Sequence, residues 1–395
     1  MDGFFLPRLR ILHTMRAPLG GLFRHVRDVV KGQAEAGYDV GVVCESNPSD
    51  PLSESRLDDL AAHCALGVHR IEMSRHAGLG DFHAVRALRG ITERLLPDVV
   101  HGHGAKGGAY ARLMPHAKGR VRLYTPHGGS LHFSPRSPAG LLYHSVERFL
   151  LGRTEGIIFE SQFGRDRFSQ IIGKMPEQAV VIHNGITAPE FDPVTLSSAP
   201  FDFVFLGELR ELKGVSDLLE ALAQLNKSKR VTAVLVGSGP EEARFKAQAI
   251  ALGLETSVQF EAPMPARDAF ALGRCVVMPS HHESLPYVVL EAAGASRPLI
   301  TTDVGGIGEV FGPLSHRLIE PRSVEDLSQA MTSFLDAPDG FQVAATEIRM
   351  QMLSKFSAHH MVTQINRFYS ELLEGMDRAA SCAGSNNDLG KAGLP

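Results

Sequence analysis

Short runs rich in β-branched residues alternate with amphipathic helical runs along almost the whole chain, and this alternation restricts the fold more than any other feature. It is typical of parallel sheets whose strands are connected by helices. The first series has seven candidate strands, residues 10–15, 38–45, 68–73, 98–103, 122–127, 156–161 and 179–184. The second has residues 201–208, 231–239, 257–262, 275–280 and 298–303, with 316–320 as a further short candidate. We therefore predict an α/β fold with two doubly wound parallel-sheet domains in tandem.

The two series are separated by residues 186–200, where three prolines and a loss of apolar periodicity predict a linker. A length of 395 residues is enough for two domains with their own cores. We assign the N-terminal domain to residues 1–190 and the C-terminal domain to residues 201–356. Residues 357–377 then have the amphipathic pattern of a helix, and the polar, glycine-rich tail 381–395 is predicted to be disordered.

Charge and hydropathy exclude several partners and locations. The formal net charge of −4 provides no overall basic field, so we expect no nucleic-acid partner. No apolar run is long enough to span a bilayer and the first residues lack a signal-peptide pattern, so we expect a cytoplasmic location. An arginine-rich stretch forms either a solvated face or a peripheral contact with the anionic inner face of a membrane. Its members are Arg70, Arg75, Arg86, Arg89 and Arg94.

Cysteine and histidine spacings predict neither disulfides nor a metal site. The four cysteines show no C-x-x-C spacing, which is consistent with free thiols in a reducing compartment. They are Cys44, Cys64, Cys275 and Cys382. The neighbouring histidines at 101 and 103, and at 281 and 282, have no cysteine or carboxylate at a recognisable metal-binding spacing. We therefore predict no metal and no other cofactor.

The segment 279–310 contains the strongest chemical motif. A predicted strand ends, a loop contains Glu283, and a helix begins near Pro286 and contains Glu291. The two carboxylates are eight positions apart, about two helical turns, so both can reach one elongated ligand. Carboxylates accept hydrogen bonds from the vicinal hydroxyls of a sugar or a ribose. Amides at the helix start suit a phosphate, and the candidate amides are those of Ser284, Leu285 and Tyr287.

Two further turns follow strands in the second series. In residues 205–214 the strand ends at Gly207, and Arg210 and Lys213 occupy the connection to the next helix. Two cations at the carboxyl end of a strand can bind a diphosphate and stabilise it as a leaving group. The glycine-rich turn 235–242, with Gly237, is weaker evidence, because such a turn is often only a tight connection.

Together these motifs resemble the donor-binding domain of the family-4 retaining glycosyltransferases, which belong to the glycosyl transferases of group 1. The resemblance is carried by HNGI (183–186), GELRELKG (207–214), LVGSGP (235–240), the Glu283/Glu291 pair and the D-V-G-G-x-x-E stretch ending at Glu309. The first half is more loosely similar, through PLGGLFRHV (18–26), HGHGAKGG (101–108) and TPHG (125–128). The resemblance implies a GT-B fold, two Rossmann-like domains facing a central cleft, with residues 357–377 packing back on the first domain.

The resemblance also implies roles for individual residues in the second half. Glu283 would hold hydroxyls of the transferred sugar, Glu291 the nucleotide ribose and Lys213 the diphosphate. Glu309 would help to order the loop that binds the donor.

In the first half, the turn at Gly20 and Gly21 would approach the phosphates or the sugar. His127 would face the reacting sugar, or it is an ordinary hydrogen-bonded histidine at a strand end. The loop containing Lys106 lies either near the cleft or in a plain helix-start turn.

Two positions depart from the family pattern. Glu208 stands where the family has an arginine after the strand-ending glycine, and Arg210 is the candidate replacement. The family also has glycines after the first glutamate, whereas this chain has Ser284, Leu285 and Pro286. Pro286 has no backbone N–H, so one donor to a phosphate is missing there.

The expected activity is retaining, metal-independent transfer of a sugar from a UDP- or GDP-linked donor to a hydroxyl acceptor. The family implies a lipid-linked acceptor or a precursor of cell-surface polysaccharide or lipopolysaccharide. Catalysis would depend on placing the two substrates and on stabilising charge on the diphosphate. Two alternatives stay open: a nucleotide-sugar epimerase on the same fold, and a catalytically silent nucleotide-sugar-binding protein, which the departure at Glu208 favours.

Overall fold

The chain forms two compact units. A computed structural model describes residues 8–46, 51–74, 78–129 and 136–388. Unit 1 is drawn from Met1–Glu160, Gly164–Ile182 and Met361–Pro395, and unit 2 from Ser161–Phe163 and His183–His360. Each unit contains one parallel sheet, which confirms the predicted class of two doubly wound α/β domains.

Unit 1 is built on a seven-stranded parallel sheet with the order β3-β2-β1-β4-β5-β6-β7. The strands are β1 (Arg10–Thr14), β2 (Asp39–Glu45), β3 (Gly67–Ile71), β4 (Val99–His103), β5 (Val121–Thr125), β6 (Gly156–Phe159) and β7 (Ala179–Val181). The helices between them are α1 (Gly20–Glu35), α2 (Pro51–Ala61), α3 (Gly80–Leu95), α4 (Gly104–Arg112), α5 (Pro138–Leu151) and α6 (Gln162–Ile172). Every residue of β4 and β5 is buried, as expected for strands covered by helices on both faces.

Unit 2 is built on a five-stranded parallel sheet with the order β10-β9-β8-β11-β12. The strands are β8 (Phe201–Leu206), β9 (Ala233–Val236), β10 (Val258–Glu261), β11 (Gly273–Met278) and β12 (Leu299–Thr301). Its helices are α7 (Val215–Asn226), α8 (Glu242–Ala251), α9 (Ala266–Ala271), α10 (Tyr287–Gly294), α11 (Ile307–Phe311), α12 (Val324–Asp336) and α13 (Pro338–Met352). Helix α12 is capped by Ser323, whose Oγ accepts a hydrogen bond from the Asp326 amide at 3.2 Å.

The last helix, α14 (Ala358–Asp388), supplies part of the core of unit 1. Phe368 and Leu372 are buried against β6, where a Cβ on Gly156 would lie only 2.8 Å from Leu372 Cδ1. Tyr369 is fully buried and its hydroxyl lies 2.6 Å from His101 Nδ1. The helix therefore fits a surface that glycine makes available.

Helix α14 extends beyond the helix predicted for residues 357–377. The tail predicted to be disordered starts at residue 381, but the helix continues to Asp388, and residues 389–395 lie outside the described part of the chain. Alanines at 379, 380 and 383 have high helix propensity, so a helix already anchored by packing can continue through them.

The segment predicted as a linker is attached to unit 2 along its length. The boundary between the units falls after Ile182, and Phe191 is buried in the apolar core of unit 2. A short 3₁₀ turn, Ala188–Phe191, is closed by a capping box between Thr187 and Glu190. Prolines interrupt regular structure here, but the buried aromatic ring still fixes the segment.

The candidate strand 316–320 is wrong. Residues Gly312–Arg317 form a 3₁₀ helix, and Ile319 makes one isolated bridge to Thr302. The apolar pair Leu318 and Ile319 packs against the core from an irregular segment, which a short apolar run cannot distinguish from a strand.

Three of the four cysteines, Cys44, Cys64 and Cys275, are buried free thiols, as predicted. Burial raises the pKa of the Cys44 thiol to about 11 and that of Cys64 to about 12, so both stay protonated and unreactive at neutral pH. The side chain of Cys382 lies outside the described part of the structure.

Removing the Phe368 ring should destabilise unit 1. Phe368→Ala leaves a cavity in the core, and such changes cost about 3–5 kcal/mol of unfolding free energy. The matched control is Arg367→Ala on the same helix, whose side chain is 71% exposed and whose loss should change stability by less than about 0.5 kcal/mol. Urea unfolding followed by circular dichroism measures both. Equal midpoints for the two variants would contradict the packing of α14 in this core.

Candidate functional site

The strongest motifs of unit 2 meet where its strand order reverses. In doubly wound sheets, ligands bind beyond the carboxyl ends of the strands at this point. The reversal lies between β8 and β11. Lys213 is in the segment that follows β8, and Glu283 is in the segment that follows β11.

Lys213 and Glu283 contact each other directly. Lys213 Nζ donates a hydrogen bond to Glu283 Oε1 at 2.7 Å, and Ser280 Oγ donates to the same oxygen at 2.7 Å. The carboxylate side chain is 9% exposed and the lysine side chain 23% exposed. The pair therefore keeps a cation and an anion side by side at a partly shielded position, where electrostatic interactions are stronger than in water.

Gly214 brings the two segments together. Its φ is +70°, and a Cβ at this position would lie 1.9 Å from the carbonyl oxygen of Pro279. Only glycine permits this approach of the Lys213 turn to the chain that precedes Glu283.

Gly237 allows a second close approach. A Cβ on Gly237 would lie 1.9 Å from the carbonyl oxygen of Gly207, and one on Gly239 would lie 2.3 Å from that of Leu209. The glycine-rich turn after β9 thus packs on the turn after β8. This contact gives Gly207 and Gly237 a packing role, and their contact with a donor stays a prediction.

The D-V-G-G segment braces the loop that contains Glu283. Gly305 has φ of +63°, and a Cβ there would lie 2.5 Å from the carbonyl oxygens of Glu283 and Ser284. The amide of Gly306 donates to the Ser284 carbonyl oxygen at 2.6 Å. The loop is therefore fixed through its backbone as well as through its carboxylate.

Helix α10 starts at Tyr287, directly after Pro286, as the sequence predicts. The side chains of Leu285 and Tyr287 are buried in the apolar core, so only their backbone atoms are available to a ligand. Ser284, in the loop before α10, and Glu291, within α10, are both half-buried. The predicted roles of these residues in donor binding remain predictions.

Arg210 is paired with the residue that departs from the family pattern. Its Nη1 lies 3.6 Å from Glu208 Oε2, and both side chains are more than 40% exposed. Exposed pairs of this kind are weak, so Arg210 can exchange Glu208 for another anion at little cost. That Arg210 replaces the arginine missing at position 208 stays a prediction.

Glu309 joins the backbone of residues 162–163 to the side chain of His183 within unit 2. Its carboxylate accepts hydrogen bonds from the amides of Gln162 and Phe163, each at 2.9 Å, and lies 2.7 Å from His183 Nε2. Burial by itself raises the pKa of Glu309, but these hydrogen bonds outweigh it and the net pKa is lowered. Glu309 thus acts here as a structural anion, and sequence reasoning assigned it only to the donor loop.

Gly20 and Gly21 lie at the start of α1, just beyond the carboxyl end of β1. Both are exposed, and Gly20 has φ of +65° with open space around a would-be Cβ. The turn is thus accessible. Its predicted contact with phosphates stays a prediction.

His127 lies beyond the end of β5, which stops at Thr125 and not at residue 127 as predicted. Its φ of +50° is rare for a residue with a side chain, and such strain is found mainly at functional sites. His127 Nδ1 lies 2.6 Å from Glu160 Oε1. The carboxylate selects the tautomer with the proton on Nδ1.

His127 belongs to a buried histidine cluster that sequence reasoning missed. His13, His101 and His103 are fully buried beside it, and His25 packs edge-on against its ring with centroids 4.8 Å apart. Burial lowers the pKa of His13 to about 4 and the pKa values of His101 and His103 well below the usual value. Three of these histidines therefore stay neutral at physiological pH.

A cavity of about 830 Å³ lies in unit 1 next to this cluster. His103 and His127 form part of its wall, together with Lys106 and Arg16. Most of the remaining wall is apolar and comes from Leu19, Leu22, Phe82, Val85, Leu142 and Val146. The cavity can therefore accommodate a molecule with both an apolar and a polar part.

The HGHGAKGG segment is a helix-start turn. Gly104, with φ of +67°, begins α4, and a Cβ on Gly107 would lie 2.3 Å from the Thr14 carbonyl oxygen. Lys106 is bonded to Asp81 at the edge of the cavity. The glycines therefore let α4 pack directly on the sheet.

The arginine-rich stretch has the contacts of a solvated face. Arg70 pairs with Glu54 and Arg89 with Glu93, at 2.8 and 2.7 Å, while Arg86 and Arg94 are exposed. Arg75 lies outside the described residues. Over the described ranges, no helix combines the length and the apolar character needed to cross a bilayer.

Comparison with known proteins assigns both halves of the chain to one group. Residues 189–351 match the family model described as glycosyl transferases group 1, and residues 20–185 match that of a glycosyl transferase 4-like domain. The glycogen synthase of Mycobacterium tuberculosis (strain H37Rv) is 27% identical over 377 residues, covering 89% of this chain and 91% of that protein. The O-antigen chain mannosyltransferase C of Escherichia coli is 32% identical over 248 residues, covering 59% and 65%.

A solved structure shows the same fold. Anabaena Alr3699/HepE, determined in complex with UDP-glucose, has a TM-score of 0.75 at 20% sequence identity, covering 92% of this chain and 100% of that chain. At this identity the likeness is one of fold, and it confirms the predicted GT-B architecture.

Glu309→Gln should destabilise unit 2 at neutral pH but not in acid. A carboxylate with a lowered pKa stabilises the folded state above its unfolded pKa of about 4.3, and this contribution is lost as the pH falls through the folded value. We expect a loss of about 1.5–3 kcal/mol between pH 6 and 8, typical of hydrogen bonds to a charged group. Below pH of about 4 the difference from the wild type should shrink. Urea midpoints across this pH range, with the exposed Glu220→Gln as control, measure the effect, and a gap that does not depend on pH would contradict it.

Proposed function

Because the chain belongs to the glycosyl transferases of group 1, we propose that it transfers a sugar from a nucleotide-sugar to a hydroxyl of a glycan or lipid-linked acceptor, with retention of anomeric configuration. The observation that carries the proposal is the contact of Lys213 with Glu283 at 2.7 Å, at the strand reversal of unit 2. One group suits a diphosphate and the other suits sugar hydroxyls.

The two charges can part when a donor binds. Hydroxyls of the sugar donate to Glu283, and the diphosphate accepts hydrogen bonds from Lys213. Since Ser280 also holds Glu283, the carboxylate keeps its position after the lysine has moved away. Each charged group thus exchanges one partner for another. Neither charge is left unpaired at this shielded position, where an unpaired charge would be strongly unfavourable.

The catalytic step proposed for this site places the acceptor hydroxyl on the face of the sugar from which the diphosphate leaves. The leaving phosphate takes the proton of the acceptor, and Lys213 stabilises the negative charge that grows on it. Such stabilisation requires no metal ion at the diphosphate, since a preorganised cation supplies the charge.

The nucleotide is proposed to be held by Glu291, half-buried on α10 eight positions after Glu283. A UDP-sugar is the first donor to examine, because the structural neighbour HepE was determined with UDP-glucose. A GDP-sugar is the second, since the same carboxylates and cation serve it equally.

The acceptor is proposed to be a lipid-linked or polysaccharide precursor. The apolar cavity of unit 1 supports an acceptor with an apolar part, and the relatives named for glycogen and for O-antigen chains support a glycan. Peripheral membrane contact is part of this proposal, because Leu141, Leu142 and Phe149 are more than half exposed on α5.

Nucleotide binding can be tested before the acceptor is known. Thermal melting is measured with UDP, GDP and ADP and with their sugar conjugates, and a ligand that binds the folded state raises the melting temperature. We expect one nucleotide family to shift it, by about 2.7 kcal/mol of stabilisation at a hundred times the Kd. Glu291→Gln should weaken the shift by the free nucleotide, whereas Glu283→Gln should remove only the extra shift caused by the sugar. No shift with any of these compounds would contradict the donor site.

Lys213→Ala should lower the rate of sugar release from the donor by about 10²–10³-fold, the loss typical of one group that stabilises the leaving charge. Release of free nucleotide is followed with the donor that shifts the melting temperature. The matched control is Lys246→Ala, an exposed lysine paired with Glu242 on α8, which should keep the wild-type rate. A Lys213→Ala protein that melts like the wild type and turns over at a similar rate would overturn the role of Lys213.

A further inference from the structure

A string of side chains in unit 1 is joined by four short contacts. Gln33 Oε1 lies 2.8 Å from His13 Nε2, and His13 Nδ1 lies 3.0 Å from His103 Nε2. His103 Nδ1 lies 3.1 Å from His127 Nε2, and His127 Nδ1 lies 2.6 Å from Glu160 Oε1. Both ends of the string are oxygens that accept hydrogen bonds.

The proton positions follow from the Gln33 end. The amide nitrogen of Gln33 donates to Asn366 Oδ1 at 3.1 Å, so its oxygen faces His13 and requires a proton on His13 Nε2. A neutral His13 then has a lone pair on Nδ1, which requires a proton on His103 Nε2. A neutral His103 is therefore left with a lone pair on Nδ1.

The Glu160 end gives the same result for His127. The carboxylate requires a proton on His127 Nδ1, which leaves a lone pair on Nε2. Two lone pairs thus face each other across 3.1 Å, between His103 and His127. An additional proton on the string, or a metal cation bound between the two nitrogens, removes this repulsion.

A third imidazole favours the metal cation. One ring nitrogen each from His25, His103 and His127 lie within 4.8 Å of one another. The ring centroids are 4.8, 5.5 and 5.4 Å apart. Three imidazoles bound tetrahedrally to one zinc ion at 2.0–2.1 Å have centroids about 5 Å apart. The nitrogens of His103 and His127 would subtend about 100° at such an ion, within the tetrahedral range.

The surroundings are also those of a metal site. Ligating histidines in proteins usually donate their other N–H to a carboxylate or a comparable acceptor, and here Glu160 serves His127 while His13 serves His103. His103 and His127 line the cavity of unit 1, so a water or a hydroxyl can reach a fourth coordination position.

We propose that His25, His103 and His127 bind one divalent transition-metal ion, with zinc as the first candidate because three histidines and an open fourth position, here facing the cavity, are a known zinc arrangement. The proposal concerns unit 1 and does not depend on the donor chemistry of unit 2. It differs from the sequence-based expectation of no metal, which rested on spacing along the chain and on the family resemblance.

Among the described residues, two other groups bring three potential metal ligands together, and both are less suited to binding a metal ion. In the group of His13, His101 and His103, both ring nitrogens of His101 already contact Tyr369 and Thr125, at 2.6 and 2.8 Å. The other group is Glu211, Asp217 and His281, where Glu211 Oε2 already accepts hydrogen bonds from Ser216 and Arg244 outside the group.

The test uses the full chain without a histidine tag, stripped with a chelator. Cobalt(II) chloride is titrated and followed by the visible absorption of tetrahedral cobalt, and zinc content is measured by mass spectrometry after dialysis. We expect one equivalent of either ion and a higher melting temperature of the loaded protein. Because this titration uses the wild-type protein, a variant that fails to fold cannot hide the result.

Variants then locate the ion. Glu160→Gln should weaken the Kd for zinc by about 10–100-fold, as expected for an outer partner, and His25→Asn and His127→Asn should weaken it further. His281→Gln is the matched control, a buried histidine of the other candidate group, and should keep the wild-type Kd. Circular dichroism confirms that each variant is folded.

Two outcomes would overturn the proposal. One is wild-type protein that takes up neither ion, with nitrogen-15 NMR showing a doubly protonated imidazole, in which case a proton occupies the position. The other is uptake unchanged by His25→Asn and His127→Asn, in which case the ion binds elsewhere. Either result is independent of nucleotide binding by unit 2, so failure here is distinguishable from failure of the proposed transferase activity.

Discussion

All strands of a parallel sheet end at the same edge, and the chemistry of each unit depends on that constraint. In unit 1, four neighbouring strands, β1, β4, β5 and β6, supply or directly precede His13, His103, His127 and Glu160. The pairing of β1 with β4 sets His13 opposite His101, and that of β4 with β5 sets His103 opposite Thr125. A string of side chains separated widely in sequence thus becomes a row across one sheet edge. In unit 2 the same geometry brings the segments after β8 and β11 into contact.

Much of the fold could be predicted from the sequence because periodicity and strand length are local properties. The predicted strand 98–103 is observed as Val99–His103, and both series of strands are present. The motifs also located Lys213 and Glu283, since each follows a strand whose end could be predicted from the sequence. The predictions that failed concern segments whose structure depends on packing. Residues 316–320 have a strand-like composition but form no strand, and the predicted linker is fixed by the burial of Phe191.

The histidine cluster could not be predicted, because metal spacing was sought along the chain. Its members come from separate elements of the fold. The residues that orient them are also far apart in sequence: Gln33, which contacts His13, is bonded to Asn366, 333 positions later. One signal was present: His13, His103 and His127 each lie in the carboxyl-terminal half of a candidate strand. Adjacent strands place such residues together, but strand order is not readable from one sequence. The close approaches at Gly214 and Gly237 are likewise tertiary, since a glycine in a turn has many other causes.

Helix α14 has a consequence for the order in which the chain folds. Residues from Met361 to Leu372 belong to the core of unit 1, whose sheet is complete by residue 181. During synthesis the first sheet therefore emerges from the ribosome about 180 residues before the helix that closes its core. Unit 2, by contrast, has the whole of His183–His360 available before that helix exists. The N-terminal half of the chain must wait, with part of its apolar surface uncovered, for the last helix to be made.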